Sequence, residues 1–185
     1  MGSRNCLLLF CITAVLSSCA SNTKLYFVRH AEKGTIPARD PDLTPDGMLR
    51  AQSLARLLRN NGIAAIYSTD TRRTRQTAEP LSTLTGRPIR LYSNDTTQKF
   101  LYRLLERDEN ALVVGHSNTV LLMLKEIGVR PSAVTIADDD YDNLFVVTIG
   151  TKNGTGEISL HLRERTYGKK SPASSDTASR KSSMH

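Results

Sequence analysis

The sequence predicts a single three-layer α/β domain with a mostly parallel central sheet and an antiparallel end. Three observations predict it. Between Lys24 and Arg165 short apolar runs alternate with longer amphipathic stretches, as strands do when helices carry the chain between parallel neighbours. No internal repeat breaks the alternation. The last two apolar runs flank Lys152-Asn153-Gly154-Thr155-Gly156, which reads as a hairpin loop and so as an antiparallel end to the sheet.

Taken in order, the apolar runs predict strands at Leu25 to Val28, Ile63 to Tyr67, Ile89 to Tyr92, Ala111 to Val114, Leu144 to Ile149 and Ile158 to Leu162. The first helix has a defined start, because Thr44 can cap it, Pro45 suits its first position and Asp46 complements its dipole. Ala51, Leu54, Ala55 and Leu58 then recur at helical spacing, and Asn61-Gly62 stops the helix. Further helices are expected over Arg73 to Leu84, Gln98 to Leu105 and Asn118 to Ile127. Gly47 costs the first helical turn about 1 kcal/mol relative to Ala, so either a ligand or a packed neighbour must approach its backbone.

The ends of the chain differ from its middle. Arg4, an apolar stretch from Cys6 to Leu16 and then Leu16-Ser17-Ser18-Cys19 form a basic start, a short apolar core and a small-residue site. The stretch is shorter than the roughly 20 apolar residues a spanning helix needs, so residues 1–18 read as a signal peptide. The four residues ending at Cys19 resemble a bacterial lipobox, which makes Cys19 the expected lipidation site and residues 19–23 a tether; an ordinary buried first helix or a plain secreted signal is the alternative. All three cysteines lie in this leader, so no disulfide or Cys-bound metal is expected in the folded part. With Ala20 rather than Asp after Cys19, enterobacterial sorting rules point to the outer membrane, facing the periplasm. Residues 166–185 are rich in Ser, Lys and Ala without apolar periodicity, and are expected to be a disordered tail.

The net charge of +7 concentrates at the ends. Arg4 accounts for one charge, and Lys169, Lys170, Arg180 and Lys181 against Asp176 for three more, leaving +3 for residues 19–165. Aromatics are only 5% and Trp is absent, which argues against a nucleic-acid surface built on a basic stripe with stacking rings. Nothing in the sequence predicts an oligomeric state.

The chemistry gathers at strand ends. Val28-Arg29-His30-Ala31-Glu32-Lys33 closes the first apolar run, and Gly115-His116-Ser117-Asn118 closes the fourth. Ligands of open α/β sheets bind at such ends. A neutral imidazole is a good nucleophile toward phosphorus, so His30 can split phosphate-ester hydrolysis into two easier steps. Guanidiniums meet the charge of a phosphoryl group in transit with paired hydrogen bonds; Arg29 and one of Arg72 or Arg73 would supply them, with His116 as a further donor. Backbone N–H groups at the start of the helix after Gly115 also point there. Lys33 and Asn118 are further candidates for substrate binding. Neither a metal nor a cofactor is expected, and Asp138-Asp139-Asp140 with Asp142 lacks the EF-hand spacing for calcium and reads as a solvated loop.

Four motifs in order resemble the histidine phosphatase (phosphoglycerate mutase-like) superfamily: Arg29-His30-Ala31-Glu32, Leu43-Thr44-Pro45-Asp46-Gly47, Tyr67-Ser68 followed by Arg73-Thr74-Arg75-Gln76-Thr77-Ala78, and Gly115-His116-Ser117-Asn118. The likeness covers nearly all of Lys24 to Leu162 and implies a phosphoglycerate mutase-like fold for residues 24–165. Ala31 replaces the family's usual glycine, as in small bacterial members. The resemblance implies that His30 is the phosphorylated residue and that Arg29, His116 and Arg73 hold phosphate when the alignment is anchored on Gln76-Thr77-Ala78; anchoring on Ser68 selects Arg72 instead. Some members take their acid from a residue directly after the second histidine, which here is Ser117. Others take it from the loop after a middle strand, where Asp95 is the candidate. The function implied is hydrolysis of a phosphorylated small molecule at a membrane surface. A non-catalytic phosphate-binding lipoprotein is the rival, and a mutase is disfavoured because mutases of the family look longer.

Overall fold

A computed structural model describes residues 22–151 and 157–172. The expected leader and Cys19 lie outside them, as do the hairpin residues 152–156 and most of the expected tail. Among the described residues six strands form one sheet: β1 (Thr23–Arg29), β2 (Ala65–Ser68), β3 (Ile89–Leu91), β4 (Ala111–Gly115), β5 (Asn143–Thr151) and β6 (Ile158–Thr166). Their spatial order is β3-β2-β4-β1-β5-β6. β1 to β4 pair in parallel, whereas β5 pairs antiparallel with both β1 and β6.

Among the described residues four helices cover the sheet: α1 (Pro45–Leu58), α2 (Arg72–Thr85), α3 (Thr97–Leu105) and α4 (Ser117–Glu126). Alternation along the strands sorts the core into two layers. Tyr26, Val28, Ile66, Leu112 and Val114 face α1 and α2, where Leu54, Leu58, Ala78 and Leu81 meet them. Leu25, Phe27, Tyr67 and Val113 face α3 and α4, where Leu101, Leu104, Met123 and Leu124 meet them. Fully burying one such side chain contributes about 1.5–3 kcal/mol, so both helix layers are held by the same central strands. Among the described residues no helix is long and apolar enough to cross a membrane.

Thr44 caps α1 by accepting the Gly47 N–H at 3.1 Å, with Pro45 at its start. A Cβ on Gly47 would lie 2.2 Å from the Glu32 carbonyl oxygen, so it is a neighbouring backbone, and not a ligand, that requires glycine there.

Two expectations are corrected. The chain does not loosen at residue 166, because β6 runs through Thr166 and the segment beyond it is pinned. The buried Arg50 guanidinium donates to the carbonyls of Tyr167 and Lys169, both at 2.8 Å, and Tyr167 and Ser171 are buried. Nor is Asp142 part of a solvated loop: it is fully buried, its carboxylate accepts the Ser171 N–H at 2.9 Å, and its carbonyl accepts the Tyr167 N–H at 3.0 Å.

Candidate active site

Sheet register brings the two histidines together. Arg29 pairs with Gly115 at the carboxyl ends of β1 and β4, and the His30 N–H continues the ladder to the Gly115 carbonyl at 2.9 Å. His30 and His116 are therefore the next residues on adjacent parallel strands. Their rings meet edge to face with centroids 5.5 Å apart.

Each imidazole has a defined protonation. His30 Nδ1 lies 2.8 Å from the Ala31 carbonyl oxygen, and a carbonyl can only accept, so Nδ1 carries the proton and Nε2 keeps its lone pair. Burial is the largest cause that lowers the His30 pKa to about 3, and the Arg29, His116 and Arg73 charges add to it. Burial followed by Arg73 and Arg29 lowers His116 to about 4. Both rings are neutral near pH 7, which suits a nitrogen nucleophile. His116 Nε2 contacts Thr69 Oγ1 at 3.0 Å, and that hydroxyl spends its proton on Thr74 Oγ1, also at 3.0 Å. Nε2 of His116 is then the donor.

Arg29 is buried beside His30. Its Nη1 donates to the carbonyls of Ala137 at 2.6 Å and Asp140 at 3.0 Å, and its guanidinium stacks 4.4 Å above the Tyr141 ring. Arg73 approaches from the first turn of α2, with Nη1 3.3 Å from the Asp40 carboxylate. The Nε atoms of Arg29 and Arg73 are both buried and have no protein acceptor, so each retains a donor for an oxyanion. Arg72 points elsewhere, pairing with Asp42 at 2.6 Å on the exposed side.

The Gln76-Thr77 pair fastens this frame. Thr77 Oγ1 accepts the Ala31 N–H at 3.0 Å and donates to the Arg73 carbonyl at 2.7 Å. Gln76 accepts the Leu43 N–H and donates to Asp42. The residue after the candidate nucleophile and the arginine facing it thus share one hydroxyl.

The remaining candidates divide. Asp95 is exposed in a 3-10 turn, Asn94–Thr96, and lines a separate depression with Gln98, Lys99, Leu122 and Glu126. Among the described residues, those lining this depression include none of His30, Arg29, His116 and Arg73. Asn118 and Lys33 are exposed, and Lys33 is fixed through its backbone bridge to Leu43. Sequence reasoning missed Asp40, whose carboxylate accepts the Arg72 N–H at 3.0 Å at the start of α2, pairs with Arg73 and acts on His116. It also missed Tyr141, whose ring centroid is 6.1 Å from that of His30. Among the described residues no cluster of three or more His, Cys, Asp or Glu is arranged to hold a metal.

The sequence pattern described as the histidine phosphatase superfamily (branch 1) matches residues 25–94, from β1 through the Asp40 loop and α2. Over these residues the chain is similar to that superfamily. A Hydrogenobacter thermophilus protein named "Putative phosphoserine phosphatase 2" is 29% identical over 148 residues, covering 69% of this chain and 73% of that protein. The fold is that of a mycobacterial glucosyl-3-phosphoglycerate phosphatase, at a TM-score of 0.60 and 14% identity over 80% of this chain and 100% of the other. The protein histidine phosphatase SixA, solved with tungstate, is similar at a TM-score of 0.57 and 17% identity over 78% and 97%. The chain therefore has the phosphoglycerate mutase-like architecture.

Proposed function

We propose that this protein hydrolyses a phosphomonoester through a phosphohistidine at His30, without a metal, while tethered to a membrane by lipid on Cys19. The observation that carries the reading is the hydrogen bond from His30 Nδ1 to the Ala31 carbonyl. It leaves Nε2 as a lone pair among two guanidiniums with buried donors to spare.

In the first half-reaction His30 Nε2 attacks phosphorus in line with the ester oxygen; the N–P bond forms as the P–O bond breaks. Arg29, Arg73 and His116 neutralise the equatorial oxygens. The bound phosphate also offsets the cationic field that depresses His116, so the ring can hold a proton and donate. The leaving alkoxide takes a proton from Asp40. The resulting carboxylate then accepts a proton from the water that cleaves the N–P bond. The products are the alcohol, phosphate and free His30.

The related phosphoserine phosphatase and the mycobacterial glucosyl-3-phosphoglycerate enzyme carry the phosphates of small molecules in their names, which supports a small phosphomonoester as the substrate class. The tether rests on Leu16-Ser17-Ser18-Cys19, with the outer membrane facing the periplasm as the proposed location. Two assays test the proposal together: turnover of a generic aryl phosphate in excess chelator, and palmitate-analogue labelling of wild type against Cys19→Ser. Loss of turnover in chelator contradicts the metal-free mechanism, and equal labelling of both proteins contradicts lipidation.

A further inference from the structure

The sheet extends past its helices on one side. α1 and α2 cover β1 to β4, whereas β6 is exposed along its length except at Leu162. Antiparallel register sets three rows on the α1 face: Lys24 with Thr148 and His161, Tyr26 with Val146 and Arg163, and Val28 with Leu144 and Arg165. Residues two apart on a strand are about 6.7 Å apart on one face. His161, Arg163 and Arg165 therefore form an evenly spaced edge, and Lys24 closes the row toward β1.

These rows form the floor of a groove of about 570 Å³, walled by Leu57 from α1 and by the amides of Asn60, Asn61 and Asn110. Among the described residues no carboxylate lines it. Asp108 and Glu109, near its mouth in sequence, are committed elsewhere: Asp108 accepts from Thr23, and Glu109 pairs with Arg90 and Arg107. Leu57 remains 44% exposed, an apolar group beside the cations. The groove runs beside β1 from Asn22 to the row of Val28, Leu144 and Arg165, and the histidines lie beyond the carboxyl ends of β1 and β4.

The chain enters the fold at this groove, because Asn22 lines it. Cys19 is three residues earlier, a reach of about 10 Å when fully extended, while the Debye length at physiological ionic strength is about 8 Å. An acyl chain on Cys19 would thus hold the Asn22 end of the groove, with Lys24 two residues further on, close to the lipid headgroups. We infer that this groove is a docking surface for anionic phospholipid headgroups, which lays the β5–β6 face on the bilayer. The inference rests on lipid attachment at Cys19 for its geometry.

The test compares binding of the full chain to phosphatidylcholine vesicles and to vesicles containing phosphatidylglycerol, at low salt, with the triple variant Lys24→Glu/Arg163→Glu/Arg165→Glu. A cation near an anionic surface contributes roughly fivefold to partitioning, so the wild type gains at least tenfold from phosphatidylglycerol and the variant loses that gain. Binding to phosphatidylcholine, set by the lipid on Cys19, and turnover of an aryl phosphate stay unchanged, which also shows that the variant folds. If it does not fold, Arg163→Gln/Arg165→Gln is expected to lose most of the gain. A gain unaffected by both variants overturns the inference, as does a gain abolished by millimolar inorganic phosphate, which would mark a site for soluble anions. Failure of Cys19→Ser to lose its lipid label with the gain intact would count against the tether alone.

Discussion

Arg50 and Glu32 form a two-pronged ion pair, with Arg50 Nη2 2.7 Å and Nε 2.9 Å from the same carboxylate. Arg50 is 3% exposed and also donates to the carbonyls of Tyr167 and Lys169. One side chain of α1 thus ties the loop after the candidate nucleophile to the end of the chain. Arg50→Met leaves Glu32 and two carbonyls without their partner, and removing one member of a buried pair costs about 3–5 kcal/mol. Urea denaturation should show a loss of this size, with residues 167–171 becoming sensitive to protease; a loss below about 1 kcal/mol would mean the pair carries little of the segment's stability.

Arg73 and Arg72 are neighbours on α2 that face different ways. Arg73→Ala should lower kcat/KM by roughly 10²–10³-fold, the usual effect of removing one donor from a developing oxyanion. Arg72 pairs with Asp42 where both side chains are over 40% exposed, and such a pair contributes about 0–1 kcal/mol, so Arg72→Ala should change kcat/KM severalfold at most. The reverse ranking would assign the phosphate to Arg72.

Asp40 and Asp95 are separated by leaving group. A poor leaving group needs a proton in the transition state, whereas a nitrophenolate needs almost none. Asp40→Asn should slow alkyl phosphates by roughly 10²-fold or more and aryl phosphates far less, and Asp95→Asn should slow neither. Selective loss of alkyl phosphate turnover in Asp95→Asn would return the acid to the loop after β3.

The buried imidazoles set a pH dependence. Their folded pKa values, about 3 for His30 and about 4 for His116, lie below the usual 6.5, so between these values the unfolded chain binds more protons than the native one. Stability is therefore full above about pH 6.5 and falls as the pH drops toward 3. The nucleophile stays neutral over the same window, so the acid limb of kcat/KM, corrected for substrate ionisation, should lie below pH 5. A limb centred near 6.5 would mean that His30 is ordinary.

The strands and helices were legible in the sequence to within a few residues, because apolar periodicity reports which face of an element is buried, and Leu25 to Val28 or Ala51 to Leu58 leaves little choice. The two histidines were legible for a related reason: residues that close parallel strands share one edge of the sheet. Asp40 was not, since residues 34–42 have no periodicity and its carboxylate is placed by α2, an element remote in sequence. Asp142 and Tyr167 to Ser171 were misread because polar composition predicts exposure, while partners more than 20 residues away in the chain, Ser171 for Asp142 and Arg50 for Tyr167, decide burial. Asp95 was chosen by position after a strand, and only the path of the turn at Asn94–Thr96 shows that it lines another surface.

The central claim is a covalent phosphoryl bond to His30 Nε2. Its most direct test is to quench the enzyme during turnover of a phosphomonoester and to map acid-labile, alkali-stable phosphate onto its peptides. The account predicts phosphate on the peptide containing His30, with none in His30→Ala and turnover lower by roughly 10⁴-fold or more, as expected when a nucleophile is removed. Phosphate on His116 instead, or turnover retained in His30→Ala, would contradict it.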